Sequence, residues 1–161
     1  MALTQVVAER GKVTDSDLTL EISRRFSAPI DIVFGAMTRP EIFQKWWGPK
    51  GCTCTECDVD LRVGGEWSTK LKETDSNDIN AVTGIYKEIV EPSKLVFTWA
   101  WTQPDGTRGS ETEVTINFYD EGHKTLMEFS QKIFADPEIC QKHRFGWDSA
   151  YDCLDVLLQE R

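Results

Sequence analysis

Residues 137–161 read PEICQKHRFGWDSAYDCLDVLLQER. Trp147, Tyr151, Leu154 and Leu158 fall at i, i+4, i+7 and i+11, which is one apolar stripe on a helix of 3.6 residues per turn. Ala150, Cys153 and Leu157 widen that stripe. Pro137 suits the first turn of such a helix, where its missing N–H is not needed. Gly146 sits inside the pattern at a cost of ~1 kcal/mol against Ala. Either backbone or ligand approaches closely there, or the helix starts only after Gly146.

The preceding residues supply the surface that this helix must cover. Upstream of it the apolar period changes from 3.6 to 2, the signature of half-buried strands. Leu18, Leu20, Ile22 and Arg24 alternate with polar residues from Asp17 onward. Residues 52–62 form a second strand, and Trp67, Thr69 and Leu71 share a face of a third. Residues 73–80 read as a polar hairpin loop. Val82–Ile89 is the fourth strand, and Leu95, Phe97, Trp99 and Trp101 mark the fifth. Val114, Ile116 and Phe118 mark the sixth, and Thr125–Phe134 the seventh. Gly64-Gly65, Glu91-Pro92-Ser93, Pro104-Asp105-Gly106 and Asp120-Glu121-Gly122 are turn chemistry between them. Two short helices interrupt the order after the first strand. One follows Pro29 and carries Ile32, Val33, Ala36 and Met37. The other follows Pro40 and ends at Gly48-Pro49.

The expected architecture is α+β. A seven-stranded antiparallel sheet joined by short turns twists and curls, and its apolar concave face needs a cover. The C-terminal helix is the element long enough, so sheet and helix grip each other. Residues 1–16 are polar and weakly patterned and read as a flexible arm. Residues 17–161 read as one domain.

With 18 Lys+Arg against 27 Asp+Glu, the chain carries a formal charge of −9. It has no Lys/Arg run, so a nucleic acid or an anionic membrane is a poor partner. No apolar run approaches the ~18–20 residues of a membrane span. The opening MALTQVVAERGKV has neither an apolar h-region nor a small-residue cleavage site. The five cysteines are then expected as free thiols in a reducing cytoplasm. Cys52, Cys54 and Cys57 raise the question of zinc. However, C-x-C-x2-C lacks a nearby fourth ligand, and on a regular strand Cys52 and Cys54 face away from Cys57. No metal or cofactor is expected, and the cysteines are read as small, buried and reduced.

Four stretches resemble one known family. Pro29, Val33-Phe34, Ala36, Thr38, Pro40-Glu41 and Trp46-Trp47-Gly48-Pro49 resemble its opening signature, and Asp60-Leu61-Arg62-Val63-Gly64-Gly65-Glu66-Trp67 its second motif. Gly84–Glu88 with Pro92, Leu95 and Phe97-Thr98-Trp99 resembles its central hairpin. His143, Gly146-Trp147 and Leu154 resemble its C-terminal helix. The family is the activator of heat-shock protein 90 ATPase homologue-like branch of the START/SRPBCC superfamily. The resemblance spans roughly residues 17–159 and implies the helix-grip fold. It says little about function, because that superfamily hosts carriers, receptors and cyclases. The family usually places an aliphatic residue where this chain has Tyr151, so a phenol would enter the gripped space.

Six tryptophans in 161 residues concentrate on the two surfaces that meet. Trp67, Trp99, Trp101, Met127 and Phe129 are the candidates on the sheet, and His143, Trp147 and Tyr151 on the helix. Trp47 stands at the end of the short helices, as either a packing plug or a lid. An aromatic stripe serves equally as plain core or as the wall of a cavity. A curled sheet and a straight helix do not close-pack along their whole length, and a void of a few hundred Å³ would hold an apolar ligand. No G-x-S-x-G, H-E-x-x-H or G-x-x-x-x-G-K-S/T motif is present. His123 falls in a turn. His143, Asp148 and Tyr151 are the candidates for polar chemistry, but five residues separate His143 from Asp148, which is not neighbour spacing on a helix.

The reading favoured is binding of a small hydrophobic or aromatic molecule between sheet and helix. The alternative implied by the resemblance is a chaperone-associated, stress-response module. A cyclase- or hydrolase-type enzyme is a further alternative. The sequence leaves monomer and homodimer both open.

Overall fold

The computed structural model describes residues 18–132, 134 and 136–161. The arm expected over residues 1–16 lies outside the described residues. The element order is β1 (Thr19–Phe26), α1 (Ile30–Thr38), α2 (Pro40–Trp46), β2 (Cys52–Val59), β3 (Glu66–Glu73), β4 (Ile79–Val90), β5 (Lys94–Trp101), β6 (Thr112–Glu121), β7 (Lys124–Lys132) and α3 (Pro137–Gln159). The strands form one seven-stranded sheet in the order β1-β7-β6-β5-β4-β3-β2, antiparallel at every pairing. Strands β2 to β7 lie in chain order because hairpins connect them. β1 closes the other edge against β7, with Ile22 opposite Phe129 and Phe26 opposite Thr125.

Alternation decides which face is buried. In β7, Thr125, Met127, Phe129 and Gln131 point inward, and in β6 Thr112, Val114, Ile116 and Phe118 do so. Gly84 lies on the inner face of β4 because a side chain would not fit. A Cβ there would stand 1.8 Å from the Thr98 carbonyl oxygen and 2.4 Å from Trp67 Nε1. Its absence lets the Trp67 indole cross β4 and donate to Thr98 O at 3.2 Å.

Helix α3 starts at Pro137, the earlier of the two starts the sequence leaves open. Asp136 caps it by accepting from Ile139 N at 2.9 Å, with Pro137 in the first turn. Its buried side chains are Cys140, Trp147, Ala150, Tyr151, Leu154 and Leu158. Trp147 packs on Phe129 at 4.7 Å between ring centroids, and Tyr151 on Phe26 at 6.0 Å. Thus α3 lies on the concave face as the helix-grip arrangement requires. Inward-facing Arg24 of β1 reaches the same helix, donating to Asp148 O at 3.2 Å and pairing with Asp152 at 2.6 Å.

Several local expectations need correction. The helix runs straight through Gly146, and a Cβ there would meet only Pro49 Cβ, at an ordinary 3.7 Å. β2 ends at Val59 instead of 62, because Asp60 turns back to bond Arg62 (Nε–Oδ2 2.9 Å) and Gly64 adopts φ +85°. β4 begins at Ile79, inside the expected loop, since Glu73 N donates to Asp78 O and tightens that hairpin. β7 ends at Lys132. Cys153 is exposed, and Cys52 and Cys57 are half-buried; only Cys54 and Cys140 match the buried expectation. Cys52, Cys54 and Cys57 all share one face of β2. A bulge between Cys54 and Glu56 reverses the alternation, so Cys54 pairs with Leu71 and Cys57 with Thr69.

Candidate functional site

Aromatic side chains from α2, the sheet and α3 meet at one end of the grip. Trp46 and Trp47 close α2, and Gly48, at φ +124°, lets the chain turn immediately after them. Phe43 stacks on Trp47 at 5.4 Å, Trp46 on Tyr151 at 5.7 Å, and Trp147 on Tyr151 at 5.6 Å. This cluster fills most of the space between sheet and helix. The void left there is about 20 Å³, bordered by Trp46, Trp47, Trp67, Phe97, Trp147 and Tyr151 among others. That is room for one water.

The larger space opens beside it. A cleft of about 270 Å³ is walled by Trp47, Leu71, Trp99, Trp101, His143 and Trp147, with Pro49, Lys142 and Gly146 at its border. The cleft therefore gathers Trp47, Trp99, Trp101, His143 and Trp147 of the residues expected from sequence. Trp67 and Tyr151 belong to the void. Phe129 packs behind Trp147, and Met127 is fully buried and borders neither space.

Hydrogen bonds fix the walls. Trp147 Nε1 donates to Gln131 Oε1 at 2.7 Å, Gln131 Nε2 to Thr112 Oγ1 at 2.8 Å, and Thr112 Oγ1 to Trp99 O at 3.0 Å. This buried chain ties α3 to β7, β6 and β5. Trp47 Nε1 donates to Thr69 Oγ1 at 3.0 Å, and Trp46 Nε1 to Ala36 O at 2.8 Å. Trp101 Nε1 donates to His143 Nε2 at 3.1 Å. His143 Nε2 is thus an acceptor, which assigns the ring proton to Nδ1, 2.8 Å from Ile139 O. Burial holds the His143 pKa below its ordinary value, with the Ile139 carbonyl partly opposing that shift.

Two buried side-chain polar atoms have no hydrogen-bond partner among the described residues: Trp99 Nε1 and the Tyr151 hydroxyl. The other five indole N–H groups are all satisfied. A buried unpaired donor costs ~1–3 kcal/mol, and such groups are rare enough to demand a reason. The phenol's pKa is raised well above its ordinary value, chiefly by burial, so Tyr151 remains a neutral donor.

The polar trio His143, Asp148 and Tyr151 does not assemble. His143 is engaged with Trp101 and Ile139, while Asp148 faces Arg24 at 3.9 Å. His123 is exposed in its turn. Among the described residues no cluster of three His, Cys, Asp or Glu could hold a metal ion. No helix among them is long and apolar enough to cross a membrane.

Sequence reasoning missed the polar anchors Gln131 and Thr112. Their signal was phase, since both fall on the inward beat of their strands. It also did not name Pro49, Leu71 and Lys142 as cleft residues, although Leu71 shares the strand face of Trp67 and Thr69.

A curled antiparallel sheet gripping a C-terminal helix, with an aromatic cleft where they part, defines a helix-grip protein of the START/SRPBCC type. The family described as Activator of Hsp90 ATPase homolog 1-like protein matches residues 27–159, and the chain belongs to it. Solved structures share the fold. An AHSA1 protein from Silicibacter pomeroyi superposes with a TM-score of 0.80 at 24% identity, covering 88% of this chain and 97% of that one. A Chromobacterium violaceum protein gives 0.77 at 25% identity, covering 87% and 96%. An Arthrobacter aurescens protein gives 0.80 at 21% identity, covering 93% and 91%. No curated protein sequence matches the chain.

Proposed function

We propose that this protein binds a small hydrophobic or aromatic molecule in the cleft between Trp47, Trp99, Trp101, His143 and Trp147. The observation that carries the reading is that open, largely apolar cleft walled by four indoles and an imidazole. A flat ligand would bury area against the indoles. The nearly filled interior argues against a deep carrier cavity: a ligand as large as a naphthalene needs several times the 20 Å³ left there.

Titration with 1-naphthol, followed by tryptophan fluorescence and native mass spectrometry, tests this. Saturable quenching with a one-to-one complex, weakened at least tenfold by Trp101→Ala, is expected. If neither 1-naphthol nor a panel of aliphatic and aromatic compounds shifts emission or mass, the cleft is not a binding site.

A second reading, association with the Hsp90 chaperone, is supported by the description of the family. Its test is direct: stimulation of the chaperone's ATPase by added protein supports it, and an unchanged rate removes it.

A further inference from the structure

The aromatic cleft carries one charge, and that charge is positive. Among the described side chains that line it, Lys142 alone is a cation and no acid is present. His143 accepts from Trp101 through Nε2, and burial disfavours its protonated form. The indole N–H groups of Trp47, Trp101 and Trp147 are bonded to Thr69, His143 and Gln131, so they are not free to orient a ligand. The exposed polar group left to do so is the Lys142 ammonium. Its partner is Glu138, one turn earlier on α3, at 3.5 Å and with both side chains largely in solvent. Such a solvated pair is weak, and the ammonium can turn to a second anion at little cost.

The positive character continues beyond the cleft. A groove of about 460 Å³ adjoins it and shares Trp47 and Pro49 as lining residues. The groove carries exposed Lys45 and Lys50, and neither has an ion-pair partner among the described residues. The chain at Lys50 is held against α3, where Lys50 N donates to Ser149 Oγ at 3.0 Å and Pro49 lies beside Gly146. The acid that lines the groove, Asp152, is already bonded to Arg24 at 2.6 Å. On a chain with a formal charge of −9, three lysines around adjoining recesses whose acid is neutralised are a local reversal of sign.

We infer that the ligand of this cleft is an anion, a flat apolar molecule bearing one carboxylate, with its ring against the indoles and its carboxylate at Lys142 in the field of Lys45 and Lys50. This rests on the reading of the cleft as a binding site and narrows it to a ligand class. Ring burial supplies most of the affinity, because an exposed ion pair is screened by water and salt. The lysine decides between ligands of one shape: it favours the carboxylate over a neutral isostere and disfavours a cation.

The test titrates the full chain at neutral pH with 1-naphthoate, its neutral isostere 1-naphthamide and the cation 1-naphthylmethylammonium, read by tryptophan fluorescence at low and at high salt. At low salt 1-naphthoate should bind roughly threefold to fivefold tighter than 1-naphthamide, and the cation weaker than both. The margin between carboxylate and amide should shrink at high salt. Lys142→Gln should abolish that margin; a ratio of two isosteres is insensitive to any packing lost with the lysine stem. Glu138→Gln, which frees Lys142, should widen it. If the carboxylate and the amide bind equally, the inference is overturned while the cleft stands as a site for neutral ligands. A margin that survives Lys142→Gln also overturns it, by placing the carboxylate elsewhere. If none of the three compounds binds, the reading of the cleft fails and the inference falls with it.

Discussion

Trp47 and Trp147 stand with ring centroids 4.6 Å apart and planes tilted by 43°, and both border the cleft and the small void beside it. Each ring is held by one hydrogen bond, Trp47 by Thr69 and Trp147 by Gln131. That pair is therefore only as rigid as two hydrogen bonds between side chains that come from different elements. Trp47 packs into the aromatic cluster and also borders the open cleft.

The Trp147–Gln131 bond is the first quantity to measure. Gln131 is fully buried and serves both Trp147 and Thr112. Gln131→Leu leaves the Trp147 N–H without an acceptor and should cost about 1–3 kcal/mol in urea unfolding. Trp147→Phe removes the donor and should cost a comparable amount plus lost packing. The double variant should cost less than the sum of the two, because neither group is then left unpaired. Strict additivity would mean that the bond contributes nothing.

Gly146→Ala separates stability from binding. The added methyl meets only Pro49 Cβ at 3.7 Å, and Ala is the better helix former, so unfolding free energy should rise by roughly 0.5–1 kcal/mol. The same methyl enters the cleft that Gly146 borders, and 1-naphthol affinity should fall several-fold. A destabilised variant would show that the helix is strained at this position.

Tyr151→Phe removes a buried hydroxyl that has no partner among the described residues. Its loss should leave stability unchanged or raise it by up to roughly 2 kcal/mol. Binding in the cleft should be untouched, since Tyr151 borders the void instead. Thermal melts and the 1-naphthol titration read the two effects apart. A fall in stability beyond ~1 kcal/mol would place a hydrogen-bonded water in the void.

Acid should loosen the cleft through His143. Burial holds its folded pKa below the unfolded value of ~6.5. Between the two values the unfolded chain binds more protons, so this group's contribution to stability is complete above about pH 6.5 and shrinks as pH falls below it. Protonated His143 also ceases to accept from Trp101. The difference in stability between wild type and His143→Gln should therefore narrow from pH 7.5 to pH 5. A difference independent of pH would show that His143 does not titrate in that range.

Local chemistry was legible wherever it acts along the chain. Alternation in β5, β6 and β7 gave the inward residues because a strand has no choice but to present every second side chain to the core. Pro137 marked one of the two possible starts of α3, and the Trp147–Leu158 stripe gave its buried face. The family likeness followed from the same residues. The bulge in β2 was not legible. An extra residue in a ladder depends on the partner strand, and here it put Cys57 on the face of Cys54 and Cys52 instead of opposite to it.

The sequence by itself determined the elements, the gripping of helix by sheet and the aromatic character of the space between them, because these follow from periodicity and from the burial of apolar area. Only the tertiary structure decided how that space divides. Whether indoles from α2, the sheet and α3 leave a hollow or fill it depends on ring volumes and rotamers meeting across elements far apart in the chain. Here they close the centre to about 20 Å³ and leave about 270 Å³ at its side.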